Sequence, residues 1–229
     1  VVAGVVVTSR FTADTLKRFG VSSERVRVVT PGVDKADFAA GPASDAPPEL
    51  LVVGTVIPRK GHDVLVRALT SLRQHRWHCV CAGSLARDRS YAERVVRSIE
   101  NSELVGRVEF VGECDSAQLD SFYRRASVFV LPSHYEGYGM VLAEALARGL
   151  PIVSTTGGAI PDTVPLETGL LVPPGNADAL STAIRTFING SEGATMRTRC
   201  VEAARRYAAT MQTWESAVNQ MENAITELT

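Results

Sequence analysis

The chain has 229 residues, enough for one large domain or one and a half ordinary ones. A net charge of −1, with 45% hydrophobic and 21% charged residues, fits a globular protein and provides no global field for nucleic acid. No apolar run reaches the ~20 residues that span a bilayer, and the opening valines lack the basic flank of a signal peptide.

Residues 1–8 are nearly all valine and predict a buried parallel strand. The chain opens in mid-strand without a methionine, which reads as a piece of a longer protein. Ser9 is placed to cap a helix over 10–19, and Gly20 to end it. A second strand over 26–29 runs into Thr30-Pro31-Gly32-Val33-Asp34. Residues 1–38 thus form a βαβ tail, and residues 39–48, with Gly41, Pro42, Pro47 and Pro48, read as a linker.

From residue 49 strands and helices alternate. Strands are expected over 50–56, 78–82, 108–111, 128–131, 152–154 and 169–172. Helices are expected over 61–74, 90–101, 116–125 and 139–148, with a short helical turn over 160–164. Helices over 178–188, 194–209 and 214–228 finish the chain, the last of them within a C-terminal segment, 211–229, that packs back toward the tail. Short, almost wholly apolar strands in repeated βα units imply an α/β fold. The expected architecture is a Rossmann-like doubly wound parallel sheet over 49–210, preceded by the short βαβ remnant.

The densest chemical signal is Glu136-Gly137-Tyr138-Gly139-Met140-Val141-Leu142-Ala143-Glu144, lying between an apolar strand and a helix. Gly137 and Gly139 permit close backbone approach, so the amides of Tyr138, Gly139, Met140 and Val141 can face a diphosphate at the helix N-terminus. At 100° per residue, Val141, Leu142, Ala145 and Leu146 share one arc that packs on the sheet. Glu144 lies about 60° off that arc, one turn in, where a carboxylate suits the paired hydroxyls of a ribose. Glu136 would face whatever group the diphosphate carries.

A second signal, Gly54-Thr55-Val56-Ile57-Pro58-Arg59-Lys60-Gly61, lies where the first strand of the main unit meets its helix. That is the carboxyl edge of the sheet, where open α/β folds bind ligands. Lys60 would act as a mobile point charge beside a phosphate and Arg59 as a bidentate clamp. Val111 and Gly112, at the same edge, could offer backbone groups to a base. The glycine loop Gly157-Gly158 could shape a sugar pocket.

Other readings are weaker. His134 and His62 have no Ser/His/Asp or Cys/His partners in the sequence and read as packing residues. Cys79, Cys81, Cys114 and Cys200 read as reduced structural thiols of a cytoplasmic protein, and no spacing suits a metal. Neither a Walker A motif nor a complete dinucleotide fingerprint occurs.

Taken together, these motifs resemble the retaining GT-B glycosyltransferases of the group-1, or family-four, class. Thr30–Asp34 resembles their interdomain hinge, Pro58–His62 their phosphate-binding lysine loop, and Glu136–Glu144 their Glu-x7-Glu motif. Gly169–Gly175 and the tryptophan-led last helix at Trp214 resemble the family's close. The resemblance covers nearly the whole chain and makes it mostly a C-terminal donor-binding domain.

The resemblance implies a nucleotide-diphosphate-sugar as donor substrate, with no cofactor and no metal. Glu136 would hydrogen-bond the donor sugar and Glu144 would hold the ribose. Lys60, Arg59 and the amides at Gly139–Val141 would stabilise the leaving diphosphate. The anomeric configuration would be retained. The acceptor, a carbohydrate, lipid-linked or small-molecule hydroxyl, would bind the N-terminal domain, which is also where peripheral membrane contact would arise. On this reading the fragment alone is inactive. One departure is Thr55, where the family often carries arginine; either Arg59 takes over that phosphate contact or the diphosphate is held less tightly. The alternatives are a GT-B relative such as a nucleotide-sugar epimerase, and a non-catalytic nucleotide-sugar-binding module. A phosphorylase is disfavoured for want of a pyridoxal-phosphate lysine.

Overall fold

The computed structural model describes residues 3–228. A small unit opens the chain, with β1 (Val5–Val7), α1 (Arg10–Arg18) and β2 (Val26–Val28). β1 and β2 pair in parallel as a two-stranded sheet. Ser9 caps α1 by accepting from the Thr12 amide at 3.2 Å, and Gly20 follows the helix at φ +86°. Of the strand expected over 1–8, the structure describes Val5–Val7, and Val1 and Val2 lie outside the described residues.

The main sheet has six parallel strands: β3 (Glu49–Val53), β4 (His78–Ala82), β5 (Val108–Gly112), β6 (Val128–Leu131), β7 (Ile152–Thr155) and β8 (Gly169–Val172). Their order is β5-β4-β3-β6-β7-β8. The chain builds outward from β3 through β4 to β5, then returns to the other side of β3 at β6. β3 and β6 therefore flank the point where strand order reverses, and in doubly wound sheets ligands bind at the carboxyl ends of those strands.

Side chains alternate along the strands, so each strand feeds two cores. Leu50 and Val52 pack with Leu65, Leu69, Trp77 and Phe187 on one face. Leu51 and Val53 pack with Tyr123, Phe129, Leu142 and Leu146 on the other. Covering the first face are α2 (His62–Thr70), α3 (Arg89–Asn101) and α7 (Ala177–Ile188). The second is covered by α4 (Ser116–Arg125), α5 (Met140–Ala147) and the short α6 (Ile160–Thr163). α8 (Gly190–Ala208) joins both cores, and α9 (Trp214–Leu228) runs beside β1, with Arg27 of β2 pairing with its Glu227 at 2.8 Å.

Three of the larger differences in boundary from the sequence reading have local reasons. α2 ends at Thr70 rather than 74, because residues 71–75 wind into turns that let Trp77 donate to the Leu72 carbonyl at 2.8 Å. β3 stops at Val53, where Gly54 adopts φ +158°. α8 starts at Gly190, four residues early, and Gly193 sits where a Cβ would meet the Phe187 carbonyl oxygen at 2.7 Å. Residues 39–48 form no regular element but are tied down, with Ala39 N–H donating to Arg148 O and Ala40 N–H to Arg124 O.

Candidate functional site

The loop leaving β3 turns through a short 3₁₀ segment, Pro58–Lys60, and enters α2 at Gly61. Gly61 has φ +71°, and a Cβ there would lie 2.2 Å from the Pro132 carbonyl oxygen. This close approach brings the β3 loop against the β6 loop, and only glycine allows it. The His134 amide completes the join by donating to the Arg59 carbonyl at 2.8 Å.

That junction assembles the cluster. Lys60 Nζ donates to Glu136 Oε1 at 2.8 Å. Arg59 Nη1 lies 3.0 Å from Glu136 Oε2 and also donates to the Tyr135 carbonyl at 2.6 Å. Ser133 Oγ donates to Glu136 Oε1 at 2.6 Å. The Lys60 stem passes over Gly54, whose Cβ position is 3.4 Å from Lys60 Cε. Glu136 is 6% exposed, so its charge survives only because these partners replace water. Burial pushes its carboxyl upward, but hydrogen bonds from Lys60 and Ser133 and the charges of Lys60 and Arg59 hold it below the usual glutamate value. The arrangement sets two cations around one buried carboxylate at the carboxyl edge of the sheet. Arg59 keeps 44% of its side chain exposed on the outer side.

The glycine loop after β7 supports the carboxylate from behind. The Glu136 amide donates to Gly157 O at 3.3 Å, and the Ala159 amide donates to Glu136 O at 2.8 Å. Cβ atoms at Gly157 and Gly158 would lie 2.3 Å from the His134 and Glu136 carbonyl oxygens. Three residues beyond Glu136 lies Gly139, the N-cap of α5, left-handed at φ +94°. The first amides of α5, from Met140 and Val141, have no intrahelical acceptor and carry the positive end of the helix dipole. Gly137 is exposed, while the Tyr138 carbonyl is fixed by Thr163 Oγ1 at 2.6 Å.

Among the described residues, no other candidate side chain bonds the Glu136 carboxylate. Glu144 shares no partner with Glu136; its Oε2 accepts from the Tyr123 hydroxyl of α4 at 3.0 Å. Tyr123 is fully buried, and Arg148 stacks on its ring at 4.4 Å. α5 is also more enclosed than a single apolar arc suggests. Ala143 and Ala147 are buried against Val33, so only the Glu144 flank stays partly open. Val111 and Gly112 end β5, two strands out from β3, and the Gly112 carbonyl already accepts from the Gly83 amide at 2.7 Å. Thr55 is half-buried in the turn after β3. His134 is exposed beside Gly175.

Two residues took on more weight than their sequence context suggested. Ser133 follows a proline and reads as turn punctuation, yet its hydroxyl meets the central carboxylate. His62 is 1% exposed and neither ring nitrogen has a protein partner. Burial, with Lys60 adding to it against a smaller opposing pull from Asp63, lowers its pKa to about 4, so it is neutral at pH 7. Among the described residues no group of three or more His, Cys, Asp or Glu side chains could hold a metal, and no helix is long and apolar enough to cross a membrane.

Known proteins match this chain in sequence and in fold. The family model for glycosyl transferases group 1 matches residues 33–207. Over 201 residues the chain is 30% identical to a glycogen synthase of Mycobacterium tuberculosis, covering 86% of this chain and 47% of that protein. Over 226 residues it is 31% identical to a D-inositol 3-phosphate glycosyltransferase of Thermomonospora curvata, covering 89% and 52%. The structure of a sucrose-phosphate synthase from Thermosynechococcus elongatus superposes with a TM-score of 0.84 at 30% identity, covering 98% of this chain and 58% of that one. The chain thus spans about half the length of these curated relatives. The family match takes in both loops that build the Glu136 cluster and most of the chain, and this chain belongs to the group 1 glycosyl transferases.

Proposed function

We propose that this chain supplies the donor site of a glycosyltransferase. The enzyme would move a sugar from a nucleotide-diphosphate-sugar to a hydroxyl acceptor, with retention and without a metal. The observation that carries the reading is the Lys60–Arg59–Glu136 cluster, set at the strand-order reversal three residues before the N-terminus of α5. The glycogen synthase and inositol phosphate glycosyltransferase relatives support the class of reaction.

In this mechanism the bond between the anomeric carbon and the phosphate oxygen breaks, and its electron pair leaves on the diphosphate. Lys60, Arg59 and the α5 amides are aimed at that growing charge, and dipoles fixed in advance stabilise it without reorganisation. Lys60 and the helix end stand where other enzymes place a cation. Glu136 binds the sugar hydroxyls. The acceptor oxygen attacks on the face the phosphate leaves, and its proton passes to the departing phosphate oxygen. The products are the glycoside and a nucleoside diphosphate. Glu144 accepts from the ribose through the oxygen that Tyr123 leaves free. The acceptor site belongs to the part of the enzyme beyond this chain's match to its relatives, and alone the chain binds donor without turnover.

Calorimetric titration with uridine, adenosine and guanosine diphosphates and their sugars tests the proposal. One nucleotide series should bind, and E136Q should then cost turnover of the full-length enzyme far more than it costs nucleotide affinity. Failure of every series to bind would overturn it. Equal losses in turnover and affinity would favour a binding module.

A further inference from the structure

Glu136 has partners of two kinds. Lys60 and Arg59 are cations, and an arriving diphosphate competes for both. Ser133 is neutral and completely buried, so no ligand can draw it away. If the cations alone held Glu136, donor binding would release the carboxylate at the moment it must meet the sugar.

Ser133 is itself held in a closed ring. Its carbonyl accepts from Thr155 Oγ1 at 2.5 Å, and Thr155 Oγ1 accepts from the Gly157 amide at 3.1 Å. The Gly157 carbonyl accepts from the Glu136 amide, and the Glu136 carboxylate accepts from Ser133. Ser133, Thr155 and the Gly157 backbone are buried, so this frame is shielded from solvent and from ligand.

We propose that Ser133 is a positioning residue, the partner that keeps the Glu136 carboxylate in place when Lys60 and Arg59 turn to the donor phosphates. Thr155 anchors it. The inference rests on the donor-site reading above, and it deepens it: in the free protein the ion pairs occupy the phosphate-binding cations, and donor binding exchanges their partners. A side chain held within a few tenths of an ångström of its working place is worth far more than the same group left to search.

The test uses S133A and S133T in the full-length enzyme. S133A should lower kcat about tenfold or more and leave donor KM within about twofold, with S133T recovering most of the loss. A merely structural serine would lower folded fraction and leave kcat per folded molecule unchanged, which would overturn the proposal. A second readout is independent of turnover. Carbon-13 NMR titration of the Glu136 carboxyl should show its midpoint rise in S133A and return in S133T. The charged groups facing it, Lys60 and Arg59 from the β3 loop, stay the same in both variants. An unmoved midpoint overturns the proposal whether or not sugar is transferred. A moved midpoint in a protein that binds no nucleotide would support the positioning role and overturn only the donor reading. Should S133A fail to fold, T155V, which removes the anchor, carries the same expectations.

Discussion

β3 and β6 are joined at both ends by a buried glutamate, an arginine and a serine, and only one of the two clusters lies at the edge where open α/β sheets bind ligands. At the carboxyl ends, Glu136 meets Lys60, Arg59 and Ser133. At the opposite ends, Glu49 accepts from Arg125 Nε at 2.9 and 3.1 Å, its amide donates to Ser127 Oγ at 3.1 Å, and His78 lies 3.8 Å away. Exposure hardly separates them, with Glu49 8% and Glu136 6% exposed. Topology does: the Glu136 end has the strand-order reversal, two glycine turns and a helix N-terminus, whereas the Glu49 end has the starts of two strands. A buried ion pair is thus weak evidence of function until its place on the sheet is known.

The largest effect expected from breaking this contrast is at Lys60. K60A should lower kcat by about 10²–10³-fold, since in the proposed mechanism it removes the main charge aimed at the leaving phosphate. Steady-state kinetics of the full-length enzyme checks this. R125A at the other end should leave kcat within about twofold.

Acid should loosen the Glu136 end next. His62 titrates at about 4 in the fold and at 6.5 when free, so the unfolded chain binds the extra proton between those values. Stability then rises with pH across that window and is lost as pH falls from about 6.5 through about 4, by roughly 3 kcal/mol in full. Glu136, whose folded value is depressed, adds a further loss below the ordinary glutamate value of 4.5 as it protonates. Urea unfolding of H62L at pH 7 and pH 5 should show a smaller acid loss than the parent; an equal loss would exclude His62 as its source.

E49Q should cost about 1–3 kcal/mol of stability in urea, because it weakens a buried charge-assisted contact, with kcat per folded molecule unchanged. The smallest effect belongs to Y123F. Removing the hydroxyl that orients Glu144 should weaken nucleotide affinity a few-fold by calorimetry, at nearly constant kcat.

Much of this was readable in the residues. The valine- and leucine-rich strands announce a sheet covered on both faces, and the glycines of the Glu136 turn announce a helix start at its carboxyl edge. The two loops carrying Lys60 and Glu136 also follow from the βα order. Partner choice was harder to read. Nothing in Pro132-Ser133 indicates that the serine turns inward, because that depends on Thr155, 22 residues on, holding its carbonyl. Likewise the pairing of Glu144 with Tyr123 depends on how α4 leans on α5, and Tyr123 in isolation reads as one more aromatic core residue. The Glu49 cluster is not legible in the sequence, since Glu49 opens β3 and Arg125 closes α4, 76 residues further on.

The central position of β3 also sets an order of assembly. Lys60 and Glu136 are separated by 76 residues, and the parallel pairing of β6 with β3 closes only after the β4 and β5 units have been made. During synthesis the two cations emerge well before their carboxylate, and a ribosome-bound chain ending before residue 128 has an unpaired β3 flank. Parallel sheets with such distant contacts form slowly, and an open strand edge invites misplaced pairing. The donor site proposed above should therefore be among the last features a newly made chain completes.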